Sequence, residues 1–333
     1  MMTSHEGDPP PAEKAGVGTE AGPSAPETPS DRPRLGLPKP SSRIASSPAL
    51  ARLNEMVVSA LGYAQRDWLR GLKAHPGQPT GGDDLAQRMA ERVDHVEVRR
   101  QRNIEAILQR TLRILPDSVD DGSADGDWAA AFFAHAADTA DPEFSRIWAR
   151  LLAQEVRRPG AVPRSAVIRL SGLPKRGLVL FRRFAAFAVN NFVIRLEQEF
   201  FDDKDLTADD ILLLEEYGLL RTNRDLNRVF QSQREDRFTT NLLYADKALR
   251  ITHDQADKQL VLACYRLTEF GTVLARVLFE EGEVRSDTDY IVEVVRMLQK
   301  QGFQTAQADI LERSDEQVVS KHTPFCEIVA LTL

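Results

Sequence analysis

Between Val156 and Leu196 the chain carries nine basic residues and no acid: Arg157, Arg158, Arg164, Arg169, Lys175, Arg176, Arg182, Arg183 and Arg195. From Glu197 to Glu216 it carries nine acids against one base, Lys204. Adjacent blocks of opposite sign limit the folds open to the chain. Either the blocks face each other and neutralise, or they lie apart and give the molecule a polar surface that steers a charged partner. The net charge is −7, so a nucleic-acid role must rest on a local basic patch.

The length of 333 residues allows two modest domains and a tail. A hydrophobic content of 42% and a charged content of 28% are those of a soluble globular protein. Cys264 and Cys326 both sit in apolar, strand-like runs, which predicts buried thiols in a reducing compartment. No apolar run approaches the length of a transmembrane segment. The first residues lack a basic-then-apolar signal, so a cytoplasmic protein is expected.

Nine of the eighteen prolines precede Arg43, among Gly, Ser, Thr and Glu. Residues 1–47 therefore read as a disordered tail, because such a segment cannot bury enough surface to offset its ordering entropy. Residues 48–80 read as an apolar helix and a linker, with packing on the body preferred to a membrane surface. Residues 81–200 read as a helical domain. Its first element is a long helix, roughly Leu85 to Leu115, about 45 Å at the α-helical rise. Met89, Val93, Val96, Arg100, Ile104, Ile107, Thr111 and Ile114 form a seam of alternating steps of four and three, with polar breaks at Arg100 and Thr111. Helix 85–115 is thus a candidate surface for a protein partner or homo-oligomer, with intramolecular packing as the alternative. Asp141 reads as an N-cap with Pro142 at the first helical position.

Three stretches carry a resemblance. They are Arg99-Arg100-Gln101-Arg102-Asn103-Ile104-Glu105-Ala106-Ile107, the run Asp141 to Glu155 around Trp148-Ala149-Arg150-Leu151-Leu152, and Pro159-Gly160 with Ser165. They resemble a bacterial family known only as a domain of unknown function, over roughly residues 85–325. A similar Trp-Ala-Arg-Leu-Leu helix occurs in abortive-infection-type phage-defence proteins, which implies that context. Asn103, Asp141, Trp148, Arg150, Glu155, Pro159 and Gly160 are the family-motif positions. The resemblance implies structural roles for them and carries over no catalytic residue.

Beyond residue 200 the texture changes. Thr207 caps a helix, with Asp210 three residues on. Strand-like runs follow at Asn241–Tyr244, Ala248–Thr252 and Gln259–Leu267, and then Leu267-Thr268-Glu269-Phe270-Gly271. This order resembles winged-helix proteins, so 201–285 is read as a winged-helix-like domain. Residues 286–333 are read as a small α/β cap. The expected class is mainly α with a C-terminal α+β part: a long helix and helical bundle, then the winged-helix-like domain and the cap.

No phosphate loop, nucleophile elbow, His-Glu-x-x-His or Cys-x-x-Cys motif occurs. The acidic loop after Pro116 lacks the alternating ligands of a calcium loop. His95-Val96-Glu97 lacks the cysteine pair of a zinc deaminase. Asp202-Asp203-Lys204 reads as a charged turn. No metal or cofactor is expected. The leading reading is a non-enzymatic interaction or regulatory protein. A second is nucleic-acid binding through Arg164, Arg169, Lys175, Arg176, Arg182 and Arg183. A third is an enzyme whose site is dispersed in sequence. The helix from Thr207 carries four acids and no base, so it would repel phosphate rather than read DNA.

Overall fold

Side-chain caps written into the sequence start half of the described helices. The computed structural model describes residues 48–62, 65–66, 69, 82–115, 119–123, 125–232, 234–315 and 318–328. The 1–47 tail and part of the 63–80 linker lie outside them. The chain divides into two units, Met1–Glu55 and Met56–Leu333. The first unit is described only over the opening turns of α1 (Pro48–Leu61). All that follows concerns the second.

Helix α2 (Gly82–Leu112) is the long helix expected from the seam. Its C-terminal half is buried through Ile107 and Thr111. Thr111 donates its hydroxyl to Ile107 O at 3.0 Å and Ala149 O at 3.3 Å. The same stripe is open in the N-terminal half, where Leu85, Met89 and Val93 are 48%, 50% and 51% exposed. Asp125 caps α3 (Gly126–Ala136), and Asp141 caps α4 (Pro142–Arg157) with proline at its first turn. Helices α5 (Arg164–Ser171) and α6 (Lys175–Ala185) complete the helical layer. Its core centres on Trp148 and Phe132, packed edge-to-face with centroids 5.2 Å apart; Trp128 stacks on Phe132 at 5.1 Å.

Two antiparallel sheets follow. In the first, β6 (Leu260–Leu267) lies between β1 (Phe192–Ile194) and β2 (Leu220–Arg221), and β3 (Asn227–Phe230) also pairs with it. The second has the order β4 (Phe238–Tyr244), β5 (Lys247–His253), β7 (Gln304–Asp315), β8 (Val318–His322), with β9 (Cys326–Glu327) on β7. Short helices α7 (Gln198–Asp202) and α8 (Ala208–Glu216) connect β1 to β2. Helices α9 (Glu269–Glu280) and α10 (Thr288–Lys300) connect the sheets. Tyr290 ties α10 to β1: its hydroxyl accepts from Ile194 N at 2.7 Å and donates to Ile194 O at 3.1 Å.

This architecture corrects the expected class. Helix makes up 51% and strand 19%, with two antiparallel sheets, so the protein is mixed α/β rather than mainly α. The strands assigned to a winged helix divide between the sheets: β4 and β5 pair with each other, and β6 pairs elsewhere. The C-terminal helix and strands form no separate cap, because β7 pairs along β5 from Lys247↔Asp309 to Thr252↔Gln304. The sequence shows where strands are apolar but not which distant strand satisfies their backbone groups. Of the two cysteines, Cys264 is buried as expected and Cys326 is exposed. Strand β9 lies at the margin of the sheet rather than within it.

Candidate functional site

The charge blocks do not cancel one another. Among the described residues a single ion pair joins them, Arg176 to Asp210 at 3.5 Å. Arg182 is instead held between Glu143 on α4 and Glu283 after α9. Lys175 reaches Asp141 at 3.3 Å and Glu143 at 3.7 Å. Arg183 donates to the Asp205 carbonyl at 3.0 Å. Arg164, Arg169 and Arg183 have no carboxylate within 4.0 Å among the described residues. The six candidates are thus brought together in α5 and α6, but three of them are engaged by acids. The backbone N–H of Glu143, then Lys175, holds the Asp141 carboxyl below its usual range; Thr207 and Arg176 do the same for Asp210.

The family-motif residues close the helical layer. Asn103 donates to Ala137 O at 2.8 Å, and Trp148 Nε1 donates to Thr139 Oγ1 at 3.0 Å. Arg150 pairs with Glu281. The buried Glu155 carboxylate accepts from Gly160 N at 2.7 Å and Val162 N at 2.9 Å. Gly160 has φ +84°, the left-handed region that the turn beside Pro159 requires.

A cavity of about 1270 Å³ opens between α4, α9 and α10 on one side and β4, β5 and β7 on the other. Leu243, Ile291, Val295 and Ile310 give it aliphatic walls. Asn190, at φ +54°, clasps the edge of β4 there: its amide oxygen accepts from Leu243 N and its N–H donates to Leu243 O, both at 2.7 Å. Tyr244 donates to Gln307 Oε1 at 2.5 Å. Burial first, then the charges of Asp246 and Asp309, push this phenol up to about 12, so it stays a donor. Gln154 Oε1 and Ser286 Oγ are covered and have no hydrogen-bond partner among the described residues.

A second cationic group surrounds the first sheet. Arg221 stands opposite Arg266 across β2 and β6, a like-charge pair that works against the fold. Arg224 lies in the turn after β2. Arg228 donates to Asn191 Oδ1 at 2.9 Å and lies over the Phe192 ring, 5.4 Å from its centroid. Arg195 donates to Thr222 O at 3.1 Å and Asn223 O at 3.3 Å, and lies 4.5 Å from the Tyr265 centroid. None of these five arginines has a carboxylate within 4.0 Å among the described residues. The nearby Glu215 is turned to Thr222, accepting from its N–H at 3.1 Å and from its hydroxyl. Burial pushes the Cys264 thiol up, against the opposing charges of Arg228, Arg195 and Arg266.

Asn191 belongs to both places, lining the cavity and holding Arg228. Sequence reading missed this cluster because 71 positions separate Arg195 from Arg266 (266 − 195). The available signal was Arg221-Thr222-Asn223-Arg224, a polar turn with two bases between short strands.

A helical layer, two antiparallel sheets and an aliphatic-walled cavity define the protein's class. The chain belongs to the family described as "Protein of unknown function (DUF2806)", whose model matches residues 87–293. That span covers the helical layer, the whole first sheet and α9. No curated protein and no solved structure matches the chain. Among the described residues no group of acids, histidines and cysteines is arranged to hold a metal, and no helix is long and apolar enough to cross a membrane.

Proposed function

We propose that this DUF2806 protein is an interaction protein that binds nucleic acid through the arginines of its first sheet. One observation carries the reading: Arg195, Arg221, Arg224, Arg228 and Arg266 gather around one small sheet without carboxylate partners. Arg221 and Arg266, opposed across β2 and β6 against their mutual repulsion, are suited to a polyanion, whose phosphates supply the missing charge. The acids of α8 favour this surface over a reading helix, because Asp209, Asp210, Glu215 and Glu216 repel phosphate.

The test compares two charge reversals in the full chain, with labelled single-stranded and duplex oligonucleotides at low and moderate salt. Arg221→Glu with Arg266→Glu should lower affinity about a hundredfold or more. Arg164→Glu with Arg169→Glu and Arg183→Glu should lower it less than tenfold, as expected of charges outside the binding surface. The reverse ranking would move the interface to α5 and α6. We extend the reading to bacterial phage defence, supported by the likeness of the Trp148–Leu152 helix to abortive-infection proteins. Plating phage on cells with and without the gene tests this; equal plating across a phage panel would remove it.

A further inference from the structure

We infer that the cavity between the helices and the second sheet binds a single-chain amphiphile, an aliphatic chain whose acidic head meets Arg157 and Arg285. The inference is independent of the nucleic-acid reading, because it uses none of the arginines of the first sheet. Hydrogen bonds define the two ends of the cavity. Gln154 Nε2 on α4 donates to Glu280 Oε2 on α9 at 3.2 Å, so the last turns of these helices meet. Only residues 281–287 separate α9 from α10, so α10 starts at that same end. Toward the close of α10, Gln299 donates to Ile328 O at 2.8 Å, which places Ile328 at the far end.

Charge gathers where α10 starts. Arg157 stands about one turn after Gln154 and Arg285 lies in the 281–287 link, and both line the cavity. The acids of this end are already engaged. Glu280 accepts from Gln154, and Asp120 stands 4.0 Å from Arg158. Asp287 meets Lys204 at 2.9 Å and caps α10 through Tyr290 N. Arg157 and Arg285 are exposed and have no carboxylate within 4.0 Å among the described residues. Two such guanidiniums at one end of a cavity complement an acidic head, carboxylate or phosphate.

Aliphatic side chains take over along α10. Ile291, Val292 and Val295 form one wall, and Leu243 and Ile310 face them from the second sheet. From Thr288 to Val295 the wall runs about 10 Å at the α-helical rise, a length suited to an extended alkyl chain. The volume of about 1270 Å³ exceeds that of a common small-molecule pocket, so head and chain fit together. Two further acids set the direction of the ligand. Asp246 and Glu312 line the cavity on the sheet side, where Asp246 O accepts from Ile310 N at 2.7 Å. They repel an anionic head and leave the arginine end as its place.

The test is isothermal titration calorimetry of the full chain with four probes below their micelle concentrations: dodecyl phosphate, dodecanoate, dodecyltrimethylammonium and inorganic phosphate. At least one acidic amphiphile should bind with one-to-one stoichiometry, and the pair shows which head is preferred. Dodecyltrimethylammonium has the same chain and the opposite charge, and should bind at least about tenfold more weakly. Inorganic phosphate should bind at least about a hundredfold more weakly, because each buried methylene contributes about fourfold. Arg157→Gln with Arg285→Gln changes two exposed side chains and should weaken the acidic amphiphile about tenfold. Val292→Glu, at a wall position that is 38% exposed, should weaken it by a similar factor with an unchanged circular dichroism spectrum. Equal affinity for the ammonium probe, or unchanged affinity in the double variant, would overturn the arginine-held head. Inorganic phosphate binding as tightly as dodecyl phosphate, or unchanged affinity in Val292→Glu, would overturn the chain site. Absence of saturable binding by both acidic amphiphiles would overturn the inference outright and leave the nucleic-acid reading standing.

Discussion

Replacing Gly271 by alanine is expected to destabilise the fold more than any other single methyl group added to it. Helix α9 begins at Glu269 immediately after β6, and Thr268 fixes the junction. Its hydroxyl donates to Gly218 O at 2.6 Å and accepts from Gly271 N at 3.0 Å, while its own N–H donates to Leu219 O at 3.0 Å. This draws the first turn of α9 onto the backbone at Leu219. A Cβ on Gly271 would lie 2.0 Å from the Leu219 carbonyl oxygen, far inside van der Waals contact, and the next nearest atoms are also Leu219 backbone. No side chain can rotate away to make room. Helix and strand must separate, and overpacking of this kind costs about 3 kcal/mol or more. In a unit of this size that lowers the melting temperature by roughly 10 °C. Gly126→Ala is the control: nothing lies within 4 Å of its added Cβ, so the melting temperature should hold or rise slightly.

Glu155→Ala is expected to have the next largest effect. The carboxylate is buried and satisfies two backbone donors, Gly160 N and Val162 N, in a turn that closes the helical layer. The same turn is tied to the aromatic core, because Trp128 Nε1 donates to Val162 O at 2.8 Å. Alanine leaves both N–H groups without their acceptor, that of Val162 in a buried residue and that of Gly160 in an exposed one. Losing a bond to a charged group costs about 1.5 to 3 kcal/mol, and because water can reach the N–H of the exposed Gly160, the total should be about 2 kcal/mol. Glu155→Gln keeps the length and one acceptor oxygen, and should lose less than half as much. Urea unfolding monitored by tryptophan fluorescence measures both. Equal losses for alanine and glutamine would mean that charge, rather than hydrogen bonding, is what the turn requires.

Much of the helical layer was legible in the sequence. The caps at Asp141, Thr207 and Thr268 are local signals, since a side-chain oxygen meets N–H groups two or three residues on, whereas Asp125 read only as part of an acidic loop. The burial of Trp148 likewise follows from helical spacing. The sheets were not legible as sheets. Pairings such as Phe192↔Arg266 and Leu249↔Gln307 join residues that share no local pattern. The resemblance to a winged helix assigned three neighbouring strands to one sheet, although β6 found its partners before residue 231 and β5 found one after residue 303. The candidate site suffered most from this. The arginines that stand out in the sequence are those clustered along the chain in α5 and α6, and Lys175, Arg176 and Arg182 there are paired with acids. The arginines of the first sheet without carboxylate partners are dispersed, one or two to a strand or turn, and only the pairing of β1, β2 and β3 with β6 assembles them.

The central claim is that these arginines meet phosphate, and its most direct measurement is the salt dependence of nucleic-acid affinity. The full chain would be titrated with a labelled single strand between about 50 and 200 mM salt. With Arg221, Arg224, Arg228 and Arg266 on phosphates, the logarithm of affinity should fall with a slope of about −3 against the logarithm of salt. In Arg221→Glu with Arg266→Glu the slope should be halved or flatter. A slope near zero, or no binding at the lowest salt, would contradict the account.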